Sequence, residues 1–75
     1  MTNDVALQIS VVNHHENTIT VWMEPWGDEF KITSGQALKL MAKGPENGTL
    51  EIQYSDRGLM VWGWEGSVLD AEVNL

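Results

Sequence analysis

The feature that most restricts what this chain can fold into is a two-residue alternation of apolar and polar side chains. It recurs in short runs, with turn residues about every 8–12 positions and no helical period. Val5 to Val12 shows it best: Val5, Leu7, Ile9 and Val11 fall on one face, Ala6, Gln8 and Ser10 on the other. A second run, Thr18 to Glu24, sets Ile19, Val21 and Met23 against Thr18, Thr20, Trp22 and Glu24. Phe30 and Ile32 alternate with Glu29 and Lys31, and Ala37 to Lys43 places Leu38, Leu40 and Ala42 inward. Thr49 to Tyr54 sets Leu50, Ile52 and Tyr54 against Glu51 and Gln53, and Ser67 to Val73 closes the series with Leu69, Ala71 and Val73. Leu59 to Trp64 differs, because it is apolar on both sides; such a strand is either covered on both faces or carries a surface patch.

The breaks between runs carry turn chemistry. Asn13-His14-His15-Glu16-Asn17, Thr33-Ser34-Gly35-Gln36, Gly44-Pro45-Glu46-Asn47-Gly48 and Ser55-Asp56-Arg57-Gly58 read as turns, and Glu65-Gly66 as a two-residue hairpin loop. The pattern predicts an all-β fold, an antiparallel sandwich or a small, partly open barrel of about seven short strands. Its expected core is Val5, Leu7, Ile9, Val11, Ile19, Val21, Phe30, Ile32, Leu38, Leu40, Leu50, Ile52, Leu69 and Val73.

One segment has residues that alternation does not explain: Glu24-Pro25-Trp26-Gly27-Asp28-Glu29-Phe30. Pro25 removes a backbone donor and fixes φ, so a sheet ladder cannot run through it except at an edge or bulge. Gly27 permits the turn, and Trp26 is carried on the bend. That ring either folds back as a lid on the core or stands out as a contact.

With 75 residues the chain is expected to be one domain, 1–75, near the lower limit for a core without staples. It has no cysteine, which removes disulfides and thiolate zinc sites and suits a reducing cytoplasm. Four tryptophans supply apolar area instead. Met1-Thr2-Asn3-Asp4 has neither the basic residues nor the apolar run of a secretory signal, and no stretch is long enough to span a membrane. A soluble, cytoplasmic protein is the resulting expectation. The net charge of −7 is spread along the chain with no basic stripe, so phosphate-led binding to nucleic acid or to a membrane surface is not expected.

The candidate binding residues are aromatic or thioether side chains: Trp22, Trp26, Met60, Trp62 and Trp64. Alternation puts Trp22, Met41, Met60, Trp62 and Trp64 opposite the main apolar stripe, where neighbouring strands could gather some of them. Such a cluster serves as a second small core, a self-association surface, or a surface for a ligand or partner. His14, His15 and Glu16 are ligand types for a divalent ion, but adjacent strand residues point oppositely, and no metal site is assigned. Carboxylate pairs such as Asp28 with Glu29 make no acid–base case without a pocket that separates their titrations. No nucleophile elbow, phosphate loop or dinucleotide fingerprint occurs. No catalytic residue and no cofactor is therefore assigned.

On Glu24-Pro25-Trp26-Gly27-Asp28-Glu29-Phe30, Gly44-Pro45 and Val61-Trp62-Gly63-Trp64, the chain resembles small bacterial β-domains of uncharacterised function that share a Glu-Pro-Trp-Gly segment leading into a turn and a strand. The resemblance spans most of residues 18–66 and implies no catalytic or binding residues. Phe30 to Gly35 also resembles a strand-turn of half a cupin barrel. That family's metal site needs a His-x-His pair, and Gly35 to Tyr54 contains no histidine. The expected function is a non-catalytic protein-interaction module, a homodimer or the binder of a protein partner through an aromatic sheet surface. The alternatives are an acidic inhibitor or immunity-type protein for a basic partner, and a small-ligand module for sugar or peptide.

Overall fold

The computed structural model describes residues 3–74; Met1 and Thr2, part of the amino terminus read above, and Leu75 lie outside the described residues. Seven strands follow in order: β1 (Asp4–Val12), β2 (Ile19–Glu24), β3 (Asp28–Ile32), β4 (Ala37–Pro45), β5 (Glu51–Ser55), β6 (Gly58–Trp62) and β7 (Val68–Asn74). They form two sheets, a three-stranded one in the order β1-β4-β7 and a four-stranded one in the order β3-β2-β6-β5. The sheets do not close into a barrel. Among the described residues there is no helix long and apolar enough to cross a membrane.

Alternation survives in the register. Leu7, Ile9 and Val11 of β1 stand opposite Ala42, Leu40 and Leu38 of β4, and Val21 of β2 opposite Phe30 of β3. The buried core is Val21, Met23, Ile32, Leu38, Leu40, Ala42, Val61 and Leu69, with Ile9, Val11, Ile19, Phe30, Leu50, Leu59, Trp64, Ala71 and Val73 packed against it. Three expected core residues are corrected: Val5, Leu7 and Ile52 are 39%, 43% and 49% exposed. They lie on the edge strands β1 and β5, but an edge alone does not expose a residue, since Ile32 on edge strand β3 and Leu69 on edge strand β7 are 0% and 7% exposed. Tyr54, which alternates on the same face as Ile52, is 86% exposed. Met23 and Ala42, which alternation sets on the apolar faces of their strands, and Val61, from the strand apolar on both sides, complete the buried core.

Two turns also differ from expectation. β4 runs through Gly44 and Pro45, which stand opposite Val5 and Asp4, and the chain turns only at Glu46 and Asn47. Proline is tolerated there because it ends the strand, where a missing donor breaks no ladder. Glu65-Gly66 is a tight turn, closed by the Ser67 amide donating to the Trp64 carbonyl at 2.9 Å, but it joins strands of different sheets and so makes no hairpin.

The least expected feature is that β2 and β6 are parallel, from Thr20 opposite Gly58 to Glu24 opposite Trp62. Between them the chain crosses to the other sheet through β4 and returns, which is the long connection a parallel pair requires. Gly58 starts β6 at φ 142°, and a Cβ there would fall 1.9 Å from the Thr20 carbonyl oxygen. Only glycine permits that approach.

Asn13 links the sheets where the chain leaves β1 for β2. Its side chain is buried, and its Nδ2 donates to the carbonyls of Asn17 and Ile32, each at 2.8 Å. Its Oδ1 accepts from the His15 amide at 2.8 Å, and its backbone exchanges bonds with Gln36 and Gly35. Leaving such groups unpaired costs more than the bonds contribute net. Asn13→Ala is therefore expected to lower stability by about 2–4 kcal/mol in urea unfolding, with the far-ultraviolet spectrum of any folded fraction unchanged.

Candidate functional site

The parallel pairing that builds the four-stranded sheet also assembles its outer face. Trp22 stands opposite Glu29 of β3 on one side and Met60 of β6 on the other, and Met60 stands opposite Gln53 of β5. One step along, Glu24, Trp62 and Glu51 form a second row. Cross-strand neighbours on one face are about 4.5–5.5 Å apart at Cβ. Trp22, Met60 and Trp62, three of the five candidate residues, thus share one continuous surface, and all three are half-buried.

Both indoles on this face are held in place. Trp22 Nε1 donates to Glu29 Oε1 at 3.0 Å, and Trp62 Nε1 donates to Gln53 Oε1 at 2.6 Å. The other oxygen of Glu29 lies 3.8 Å from Lys31 Nζ. Each ring is tied at its polar edge to a neighbouring strand. A shallow groove of about 310 Å³ lies on the face, lined by Trp22, Glu24, Ser55, Arg57 and Met60.

The other two candidates lie elsewhere. Trp64 follows the end of β6, turns toward the core and donates from Nε1 to the Pro45 carbonyl at 2.9 Å. Its ring occupies the space beside Gly48, where a Cβ would fall 1.9 Å from Cδ1. The adjoining turn is fastened by Ser67, whose Oγ accepts from the Trp64 amide at 2.9 Å and donates to the Trp64 carbonyl at 2.6 Å. Trp26 sits on the β2–β3 turn, after a cis Glu24–Pro25 peptide, and is 48% exposed. Its Cη2 lies about 3.0 Å from where a Cβ on Gly63 would stand. Met41 is exposed on the other sheet, so it does not join the patch.

A larger cavity of about 420 Å³ opens beside Asn13, between Val11, Ile19 and Leu59, with His14, His15, Tyr54, Asp56 and Arg57 among its lining. Nothing in the alternation points to it, because it is made by turns from distant parts of the chain. The indole partners Glu29 and Gln53 were also not singled out in the sequence. Glu29 could have been found by counting back from the Pro25-Trp26 turn; Gln53 depends on the pairing of β5 with β6. Among the described residues no group of three or more His, Asp or Glu side chains converges as a metal ion would require.

No family model, no curated protein and no solved structure matches this chain.

Both rings are half-buried, but Trp64 packs against the core and bonds Pro45 while Trp62 stands on the outer sheet face, so truncating them should have unequal effects. Trp64→Ala is expected to cost about 3–5 kcal/mol in denaturant unfolding. Trp62→Ala should cost about 1 kcal/mol, the scale of a lost cross-strand contact. Equal losses would place both rings in one core.

Proposed function

We propose that the protein is a non-catalytic protein-interaction module whose Trp22–Met60–Trp62 face receives a partner protein carrying a lysine or arginine. The observation that carries this reading is the row Glu24–Trp62–Glu51, an indole set between two carboxylates by the sheet register. A cation over an indole face gains from the ring quadrupole, and flanking carboxylates add charge attraction. Trp22 and Met60 beside it offer the apolar area typical of interface centres. Holding both indoles through Glu29 and Gln53 reduces the entropy lost on binding.

Glu24 and Glu51 weigh against two copies meeting with their Trp62 rows in register, while Lys31 beside Glu29 and Arg57 in the groove make the rest of the face mixed in charge. A net charge of −7 acts in the same direction and speeds encounter with a basic partner. This makes the acidic inhibitor or immunity type a special case of the same reading. A cysteine-free acidic domain suits a reducing cytoplasm, where we place its action.

The test is affinity capture from the source cell with wild type, Trp62→Ala, Glu51→Gln and Met41→Ala, each first shown to be folded. A partner retained by wild type and Met41→Ala, weakened by about tenfold or more in Trp62→Ala, and released by added salt is the expected result. A partner indifferent to Trp62 and Glu51 would overturn the assignment of this face.

A further inference from the structure

Two sheets have four edges, and three of them are guarded. β3 carries Asp28, Glu29 and Lys31 in five residues, β5 is equally short and carries Glu51, and β7 carries Asp70 and Glu72. Short length and charge are the usual means by which an edge avoids pairing with another chain. β1 has neither. It is nine residues long, and from Val5 to Val12 it contains no charged side chain, no proline and no glycine.

Its exposure pattern is also incomplete. Val5 and Leu7 stand opposite Gly44 and Ala42, which are buried, and so belong to the core side of the sheet. They are nevertheless 39% and 43% exposed. β1 pairs only with β4, so the outward row of its backbone donors and acceptors has no strand partner. The edge offers a ladder and an apolar stripe together.

We infer that the β1 edge is a self-association surface and that its occupant is β1 of a second copy of this chain, paired antiparallel across a twofold axis. Charge selects the occupant. Two chains of charge −7 repel wherever their acids meet, and β1 is the one edge where their backbones can approach with no charge facing a like charge. With the axis at Gln8, Leu7 meets Ile9 of the second copy, Val5 meets Val11, Ala6 meets Ser10 and Asp4 meets Val12. Odd-numbered residues then face odd-numbered ones, so the apolar stripe stays on the core side of both sheets. The product is a six-stranded sheet in the order β7-β4-β1-β1-β4-β7, a closed and isologous dimer. It leaves the Trp22–Trp62 faces free and doubles them, so a multivalent partner would gain avidity without new contacts.

The chain's lack of cysteine makes the experiment direct, because Gln8→Cys introduces the sole thiol on an exposed side chain. Glu72→Cys, on the β7 edge, is the control. Under mild oxidation Gln8→Cys should give a covalent dimer and Glu72→Cys should not, since a disulfide forms only where Cα atoms approach within about 7 Å. Light scattering over a wide concentration range should show wild type at twice the chain mass and Leu7→Lys at the chain mass. A wild type that stays at the chain mass throughout, cross-linking at position 72 in preference to 8, or a dimer abolished by Trp62→Ala would each overturn the proposal. Should Leu7→Lys unfold, the preference for cross-linking at 8 over 72 decides alone, since neither cysteine enters the core.

Discussion

The parallel contact between β2 and β6 is the constraint on which the rest of this molecule depends. Each strand belongs to its own antiparallel hairpin, β2 with β3 and β5 with β6, and a lone hairpin is marginal in water. Joining the two through their inner strands makes a four-stranded sheet with a central pair, and that pair supplies Val21, Met23 and Val61 to the core. The junction rests on one residue without a side chain, since the backbone of Thr20 occupies the space a Cβ at Gly58 would need. The same junction sets Trp22 beside Met60 and Trp62 between Glu24 and Glu51. Fold and surface therefore share one cause.

Among the described residues a core of eight buried apolar side chains is small, and the sandwich is fastened at its ends by polar contacts rather than by more apolar volume. Asn13 does this where β1 gives way to β2, joining the Ile32 and Asn17 carbonyls through one amide. Trp64 and Ser67 do it near the end of β4, with the indole bonded to Pro45 and the hydroxyl closing the turn. Among the described residues no buried side-chain polar atom lacks a partner. In a domain of this size that matters, because a single unpaired buried group costs about 1–3 kcal/mol out of a marginal total.

The four tryptophans divide by position rather than by chemistry. Trp64 packs half-buried against the core, Trp26 rests half-exposed over Gly63 on a turn, and Trp22 and Trp62 lie on the outer face with their N–H groups bonded within the sheet. An indole whose donor is satisfied by its own sheet presents mainly a π-face to a partner. That restricts what the surface recognises to groups that stack or carry positive charge, and the flanking carboxylates bias it to the second. The β1 edge, uncharged from Val5 to Val12, lies on the other sheet, so self-pairing there and recognition on the outer face do not compete for the same residues.

Period-two alternation was enough to determine that the chain is all-β with seven strands and where most of them begin and end, because side-chain direction in a strand follows from local backbone geometry alone. It also determined that Trp22, Met60 and Trp62 lie opposite the apolar stripe, and that Pro25 ends a ladder. It could not say that β2 and β6 are neighbours or run in parallel, since alternation is the same read in either direction and against any partner. Nor could it show that Val5, Leu7 and Ile52 would be exposed while Ile32 and Leu69, also on edge strands, were buried, because that depends on what packs over each position. Trp64 escaped the pattern when β6 ended at Trp62 and the chain turned inward. Local sequence chose the direction of each side chain; tertiary structure chose its neighbours, and the candidate site is made of neighbours.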